Sequence, residues 1–354
     1  MPSKSEPTQN APVGETRRPV VIPAISARQP GCLTNLWISG DLQAEGEIGQ
    51  GMFDQGTRFW LGPGNMICTK IFFPTRTHRW HMDGIRFEKM HGLGNDFVII
   101  DARHQNYPSG DTIQAMADRQ RGIGFDQLVV LHGATPVEMD IYNADGSRAG
   151  ACGNVTRCVA RLLDEEGMTM PCIIRTTSAD LTASKVADGY EVDMGTPRRL
   201  PSQIPFTGAM DGDEAVIPGT HDRPELRASL VNMGNPHAVL FGDDELLTKA
   251  EIWGPLLSTH RDFPEGVNVG FGQILSDGHL RLRVHERGAG VTLACGSGAC
   301  AAVVAAVDSG RLSPGPVAVD TDGGRLTITY AGGQGHVLMA GPAAHVFGGV
   351  WHDR

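Results

Sequence analysis

Two short strings decide how this chain folds: Ala151-Cys152-Gly153-Asn154 and, 143 residues later (295 minus 152), Ala294-Cys295-Gly296-Ser297. Each opens a stretch of helical spacing. After the first, Val155, Cys158, Val159, Leu162 and Leu163 recur until Gly167 offers a stop; after the second, Ala299, Ala302, Val303 and Ala306 recur until Gly310. The small residues of the second helix predict close neighbours on all sides. Other pairs keep the same order. Gly94-Asn95-Asp96-Phe97-Val98 is answered by Gly234-Asn235-Pro236-His237-Ala238-Val239, and Gln127 by Asn268, at offsets of 140 (235 minus 95) and 141 (268 minus 127). Repetition at near-constant spacing predicts two similar halves.

Around these helices lie apolar or alternating runs that read as strands: Ile85-Arg86-Phe87-Glu88-Lys89-Met90, Phe97-Val98-Ile99-Ile100, Ile173-Ile174-Arg175-Thr176, Leu230-Val231-Asn232-Met233 and Leu280-Arg281-Leu282-Arg283-Val284. Each half is therefore mixed α/β. Met194-Gly195-Thr196-Pro197 marks the boundary between them, followed by a long loop-like stretch. Residues 1–81 read differently, with Ser, Thr, Pro and Gly scattered among single apolar residues and no sustained period. We expect poor order there, a mis-assigned start or a dispensable extension, with Met82 as the natural start.

The bulk properties exclude several classes. With 354 residues, 40% hydrophobic and 20% charged, the chain has an ordinary globular composition and room for two domains with sizeable cores. A formal charge of −10 and the lack of a Lys/Arg stripe argue against a nucleic-acid partner. No apolar run is long enough to span a membrane and no secretory signal is evident, so a cytoplasmic location is expected. Seven cysteines, an odd number in a long chain, do not form a disulfide framework. No Cys-x-x-Cys or His-Glu-x-x-His spacing occurs, so no metal is expected.

A cysteine in a helical pattern is ordinarily a small buried hydrophobe, which is the reading for Cys158, Cys172 and Cys300. Cys152 and Cys295 differ because each precedes a helix, abuts a glycine and has its counterpart in the duplication. A helix start directs unpaired N–H groups outward and favours anions, both a carboxylate and a thiolate. If the halves face each other, one substrate carboxylate lies between both helix starts with a sulfur on either side of its α-carbon. One thiolate would remove the α-proton while the opposite thiol delivers another. No metal or pyridoxal cofactor is required. Fixed dipoles, dry once the domains close, would stabilise the carbanion.

The strings His91-Gly92-Leu93-Gly94-Asn95-Asp96-Phe97, Tyr142-Asn143-Ala144-Asp145-Gly146-Ser147, Ala151-Cys152-Gly153-Asn154, Gly234-Asn235-Pro236-His237, Glu286-Arg287-Gly288 and Ala294-Cys295-Gly296-Ser297-Gly298 together resemble those of the diaminopimelate epimerase family, in order and spacing, from about residue 83 to residue 350. The resemblance implies two pseudo-symmetric domains, each a curved, barrel-like mixed sheet around a central helix. Their expected extents are 83–196 with about 341–352, and 197–340, the last strand returning through Ala344-His345-Val346-Phe347. It implies interconversion of LL- and meso-2,6-diaminopimelate, without cofactor, by a homodimer. Carried over by position, it assigns proton transfer to Cys152 and Cys295, with His237 and Glu286 adjusting their ionisation. Asn95, Gln127, Asn143, Asn235, Asn268, Glu286 and Arg287 would hold the substrate, with Gly153, Asn154, Gly296 and Ser297 as helix-start contacts. Neutral amides suit a distal centre bearing both an ammonium and a carboxylate, and Arg287 can pair a carboxylate bidentately.

Without that resemblance the same residues read more plainly. His237 would be structural, Glu286-Arg287 a surface ion pair, and Asn95, Asn143 and Asn235 turn formers. Val155, Thr156 and Val291 depart from the family's commonest pattern, Val155 in a place that could narrow the room beside Cys152. Two other functions fit part of the pattern: a proline or hydroxyproline racemase of the same fold, and a redox-responsive binder in which the two cysteines form a switchable disulfide.

Overall fold

The computed structural model describes residues 84–150, 152–221 and 223–352; the extension read at 1–81 and the start at Met82 lie outside the described residues. The first half runs β1 (Ile85–Gly92), β2 (Asn95–Asp101), α1 (Gly110–Ala117), β3 (Gln127–His132), β4 (Val137–Asn143), β5 (Arg148–Ala149), α2 (Gly153–Glu165), β6 (Cys172–Arg175), β7 (Asp180–Val186) and β8 (Gly189–Asp193). The second opens with β9 (Ala209–Asp211) and β10 (Glu214–Ile217), a hairpin in the stretch read as a loop. It is short, β9 is exposed and β10 buries only Ala215 and Ile217, so its apolar alternation is too brief to stand out. Then follow β11 (Leu226–Asn232), β12 (Pro236–Phe241), α3 (Asp244–Thr248), α4 (Ala250–Ser258), β13 (Asn268–Ser276), β14 (His279–Glu286), β15 (Gly290–Thr292), α5 (Gly296–Asp308), β16 (Gly315–Thr321), β17 (Gly324–Tyr330), β18 (Val337–Gly341) and β19 (Ala344–Trp351).

The duplication is visible in the pairing. Strand β2 pairs in parallel with β3, β3 antiparallel with β4, and β4 in parallel with β6; in the second half β12 pairs in parallel with β13, β13 antiparallel with β14, and β14 in parallel with β16. The registers superimpose as well. Phe97 lies opposite Gln127 as His237 lies opposite Asn268, and Ile141 opposite Ala149 as Val284 opposite Thr292. The halves join edge to edge through β8 and β18, while β19 returns to pair with β1.

Each half curls around one helix. Helix α2 packs on β1, β2, β6, β7 and β8, which include both ends of its half-sheet, so the strands must wrap round it; α5 is enclosed likewise by β11, β12, β13, β14, β17 and β18. Composition explains the difference in fit. In α5 every residue from Gly298 to Val307 is buried, and its run of Ala, Gly and Val lets strands approach from all sides. Helix α2 keeps Arg161, Leu162 and Asp164 at least partly exposed and buries Val155, Cys158, Val159 and Leu163 in the first core. Cys158, Cys172 and Cys300 are buried thiols, as read. Among the described residues no helix is long and apolar enough to cross a membrane.

Candidate active site

Cysteine is an unusual N-cap, because that position normally holds a short polar side chain that bonds the exposed N–H groups of the first turn. Cys152 and Cys295 both occupy it in extended conformation, at φ −146° and −112°, and neither makes a side-chain cap. The first intrahelical bonds run from Thr156 N to Cys152 O and from Ala299 N to Cys295 O, so the N–H groups of residues 153–155 and 296–298 have no intrahelical acceptor. Instead those of Asn154 and Val155 point at the Cys152 sulfur and that of Gly298 at the Cys295 sulfur.

The two helix starts meet. A Cβ added to Gly153 would stand 2.4 Å from Met339 Cε, and one on Gly296 would stand 2.8 Å from Met339 Sδ and 2.9 Å from Asn154 Oδ1. Both glycines thus face one methionine, and only their missing side chains permit the approach. Asn154 ties the halves across this gap: its Nδ2 donates to Asn95 Oδ1 at 3.3 Å in the first half and to the carbonyl of Ala294, the residue before Cys295, at 3.2 Å in the second. The Cys152 thiol in turn faces Asn95 Oδ1 at 3.9 Å.

Around Cys295 the side chains can exchange protons. Its sulfur lies 3.6 Å from Ser297 Oγ, which is 3.2 Å from His237 Nε2; that nitrogen also meets Asn235 Oδ1 at 3.0 Å. His237 is fully buried, and burial, reinforced by the Arg287 charge, lowers it to about 3, so its imidazole is neutral at physiological pH. Glu286 accepts from Thr292 Oγ1 at 2.6 Å, and burial raises its carboxyl above the ordinary range. Its charge acts on both thiols, raising each.

Desolvation decides the thiols' ionisation, against the expectation from the helix starts alone. Burial is the largest influence on both and pushes both upward; the N–H groups of Asn154 and Val155 and the charge of Arg157 pull Cys152 back only in part. A dipole end helps a thiolate, but removing a sulfur from water costs more.

The remaining predicted residues divide. Gln127 and Asn143 are cross-strand partners joined at 3.3 Å, and Gln127 Oε1 is buried without a partner. Asn268 donates to Pro236 O and accepts from Arg287 N, both at 2.9 Å, so its amide holds the backbone of β12 and of the turn after β14. Arg287 is exposed and anchored on Glu265 O at 2.7 Å. Behind Asn95, Asp126 accepts from its Nδ2 at 2.8 Å and pairs with Arg119 at 2.7 Å, a support the sequence reading did not include. Nor did it include Met339, Thr292 or Arg157. Val155 packs into the first core, Thr156 Oγ1 back-bonds Cys152 O at 2.9 Å, and Val291 lies against the second-half core; all three departures are accommodated by packing.

The sequence profile of diaminopimelate epimerases matches residues 87–200 and 229–346, which include both cysteine strings. The chain belongs to the diaminopimelate epimerase family. A diaminopimelate epimerase from Neisseria meningitidis serogroup A is 48% identical over 279 residues, covering 76% of this chain and 98% of that protein. In fold, the chain also resembles a phenazine biosynthesis protein from Bacillus anthracis (TM-score 0.55, 13% identity, covering 77% of this chain and all of that one). A hydroxyproline epimerase from Agrobacterium vitis is similar in the same way (TM-score 0.54, 17% identity, 76% and 92% covered). Family membership makes the chain an isomerase, and these two structures are likenesses of fold, a duplicated, curved mixed sheet.

Proposed function

We propose that this chain is a diaminopimelate epimerase that interconverts LL- and meso-2,6-diaminopimelate by proton transfer between Cys152 and Cys295. The observation that carries the mechanism is the meeting of the two cysteine-led helix starts across Met339, bridged by Asn154. The α-carboxylate lies between the two helix starts, whose N–H groups at residues 153–155 and 296–298 have no intrahelical acceptor and take up charge as the carbanion forms. One sulfur removes the α-proton and the other donates to the opposite face. Since both thiols are held protonated by burial, the attacking one must lose its proton as the substrate binds. Glu286, raised by the same burial and acting on both sulfurs, is the acceptor, and neutral His237 relays through Ser297 to Cys295.

Asn95, Gln127, Asn143, Asn235 and Arg287 hold the substrate's ends. The unpartnered Gln127 Oε1 is an acceptor for the distal ammonium, and Arg287 at the rim is a partner for the distal carboxylate. Asn268 supports this by fixing Arg287 and Pro236. The halves act as domains spanning 83–196 with about 341–352, and 197–340; two separate core clusters, one about α2 and one about α5, support the division. The enzyme works as a homodimer, for which the exposed row Val346, Phe347 and Val350 on β19 is a suitable surface, and in the cytoplasm, where its free thiols stay reduced.

The test is chiral analysis of product from purified enzyme and LL-diaminopimelate, with proline and hydroxyproline as comparators. Equilibration of the LL and meso isomers is expected. Turnover of proline with none of diaminopimelate would overturn the substrate assignment.

A further inference from the structure

Among the described residues Arg157 is the largest wholly buried side chain, at 0% exposure. Its guanidinium donates to Asn154 Oδ1 at 3.1 Å, to Pro342 O at 3.4 Å and to Met339 Sδ at 3.4 Å, all neutral acceptors. Among the described residues no carboxylate pairs with it. An arginine cannot shed its proton, so a buried one without a counterion is costly unless an anion forms nearby. The position is unusual for a second reason. Helical side chains lean toward the N-terminus, so Arg157 reaches back to the start of α2, where the dipole disfavours a cation. The surrounding chain makes room for it: a Cβ on Gly92 would stand 3.2 Å from Nη2, and one on Gly341 would stand 3.5 Å from Nε.

The ionisable groups that face the guanidinium are three thiols: Cys152 and Cys158 of its own helix and Cys300 of α5. Cys158 and Cys300 are pushed up to about 12 by burial and stay neutral. Two charges act on Cys152, that of Glu286 on β14 raising it and that of Arg157 lowering it.

We propose that Arg157 is a positioning residue for the epimerisation: it orients the Asn154 amide that registers the two cysteines, and its charge balances the thiolate formed at Cys152. This rests on the two-cysteine reading above and adds to it a division of labour. With Oδ1 of Asn154 fixed by Arg157, Nδ2 must point at Asn95 and Ala294, which brings Cys152 and Cys295 to a common spacing. The alternative is that Arg157 only braces the crossover at Pro342, in which case its loss would change stability and leave the sulfur untouched.

The variants are Arg157→Met, which keeps bulk without charge, and Arg157→Lys, which keeps charge without the planar fork. Two readouts separate the roles: the pH dependence of Cys152 alkylation by iodoacetamide, mapped by peptide with Cys295 as internal reference, and kcat and KM for both isomers. Arg157→Met is expected to move the Cys152 inflection up by about one pH unit, roughly a tenfold loss of alkylation at a fixed pH below it, and to lower kcat about tenfold or more with KM changed less. Arg157→Lys is expected to hold the Cys152 inflection near wild type while lowering kcat by about tenfold, since one ammonium cannot hold Asn154 and Pro342 together. A folded Arg157→Met protein with an unchanged Cys152 profile and unchanged kcat would overturn the proposal. If that variant does not fold, an unchanged kcat in Arg157→Lys would do so. Alkylation needs no turnover, so a wild type inactive on both isomers would refute the activity and leave the Arg157–Cys152 coupling to be judged separately.

Discussion

Helices α2 and α5 occupy equivalent places in the two halves, begin with the same Cys-Gly pair and differ in what surrounds the sulfur. Around Cys295 the chain supplies His237 and Glu286; at the matching registers of the first half stand Phe97 and Asn143, which cannot titrate. Around Cys152 the helix supplies Arg157; the residue 143 positions on (300 minus 157) is the neutral Cys300. On the proposed reading, one half manages its sulfur with a carboxyl and a neutral imidazole, the other with a fixed charge. The duplicated scaffold is symmetric, and moving one proton in and another out asks unlike things of its two faces.

That comparison can be broken most severely at the sulfurs themselves. Cys152→Ser and Cys295→Ser should each lower kcat/KM by roughly a thousandfold or more with an unchanged melting temperature, because a serine hydroxyl is far too weak an acid to share in the exchange. If either variant retained near-normal turnover, that cysteine would not be a proton carrier. Next come the two glycines. Gly296→Ala should cost more than Gly153→Ala, on the order of a hundredfold against tenfold in kcat, since its Cβ meets the fixed Asn154 amide 2.9 Å away, while that of Gly153 meets only the flexible ends of Met339 and Met194. Equal losses would mean that the Asn154 bridge does not set the spacing.

A third test converts the second half towards the first. His237 is held at about 3 by burial, with Arg287 adding to the effect, and would titrate near 6.5 once unfolded. Below pH 6.5 the unfolded chain binds a proton that the native one refuses, so stability falls as pH drops from 6.5 towards 3, by at most about 1.4 kcal/mol per pH unit. His237→Phe should remove that slope, giving a flatter plot of unfolding free energy between pH 6 and 4. A variant with the wild-type slope would show that His237 is not held neutral. The smallest effect belongs to Thr292→Val, which removes the 2.6 Å hydrogen bond to Glu286. Losing that bond raises the Glu286 carboxyl further, so the acidic limb of kcat/KM should move up by a few tenths of a pH unit, a few-fold at fixed pH. No movement would place Glu286 outside the proton path.

Much of this was legible in the sequence because it rests on periodicity and repetition. The helices end where Gly167 and Gly310 punctuate them, and Ala344-His345-Val346-Phe347 does return to β1. What escaped was of three kinds. The hairpin of β9 and β10 is too short for alternation to show. Arg157 drew no reading from the sequence, because charge in a helical pattern is ordinarily an outer face; its i+4 spacing from Gly153, which aims it back at the helix start, was the available signal. The ionisation of the cysteines was also beyond a local reading. The helix start is written in the neighbouring residues, whereas the desolvation that outweighs it comes from the whole fold.

The most direct test of two opposed sulfurs acting on one carbon is the initial fate of the α-proton in deuterated solvent, starting separately from each isomer. At low conversion the product should carry solvent deuterium at the inverted centre while recovered substrate keeps its protium, because the acid that donates is not the base that abstracts. Deuterium appearing in recovered substrate as fast as in product would mean that a single group does both, and would contradict the account.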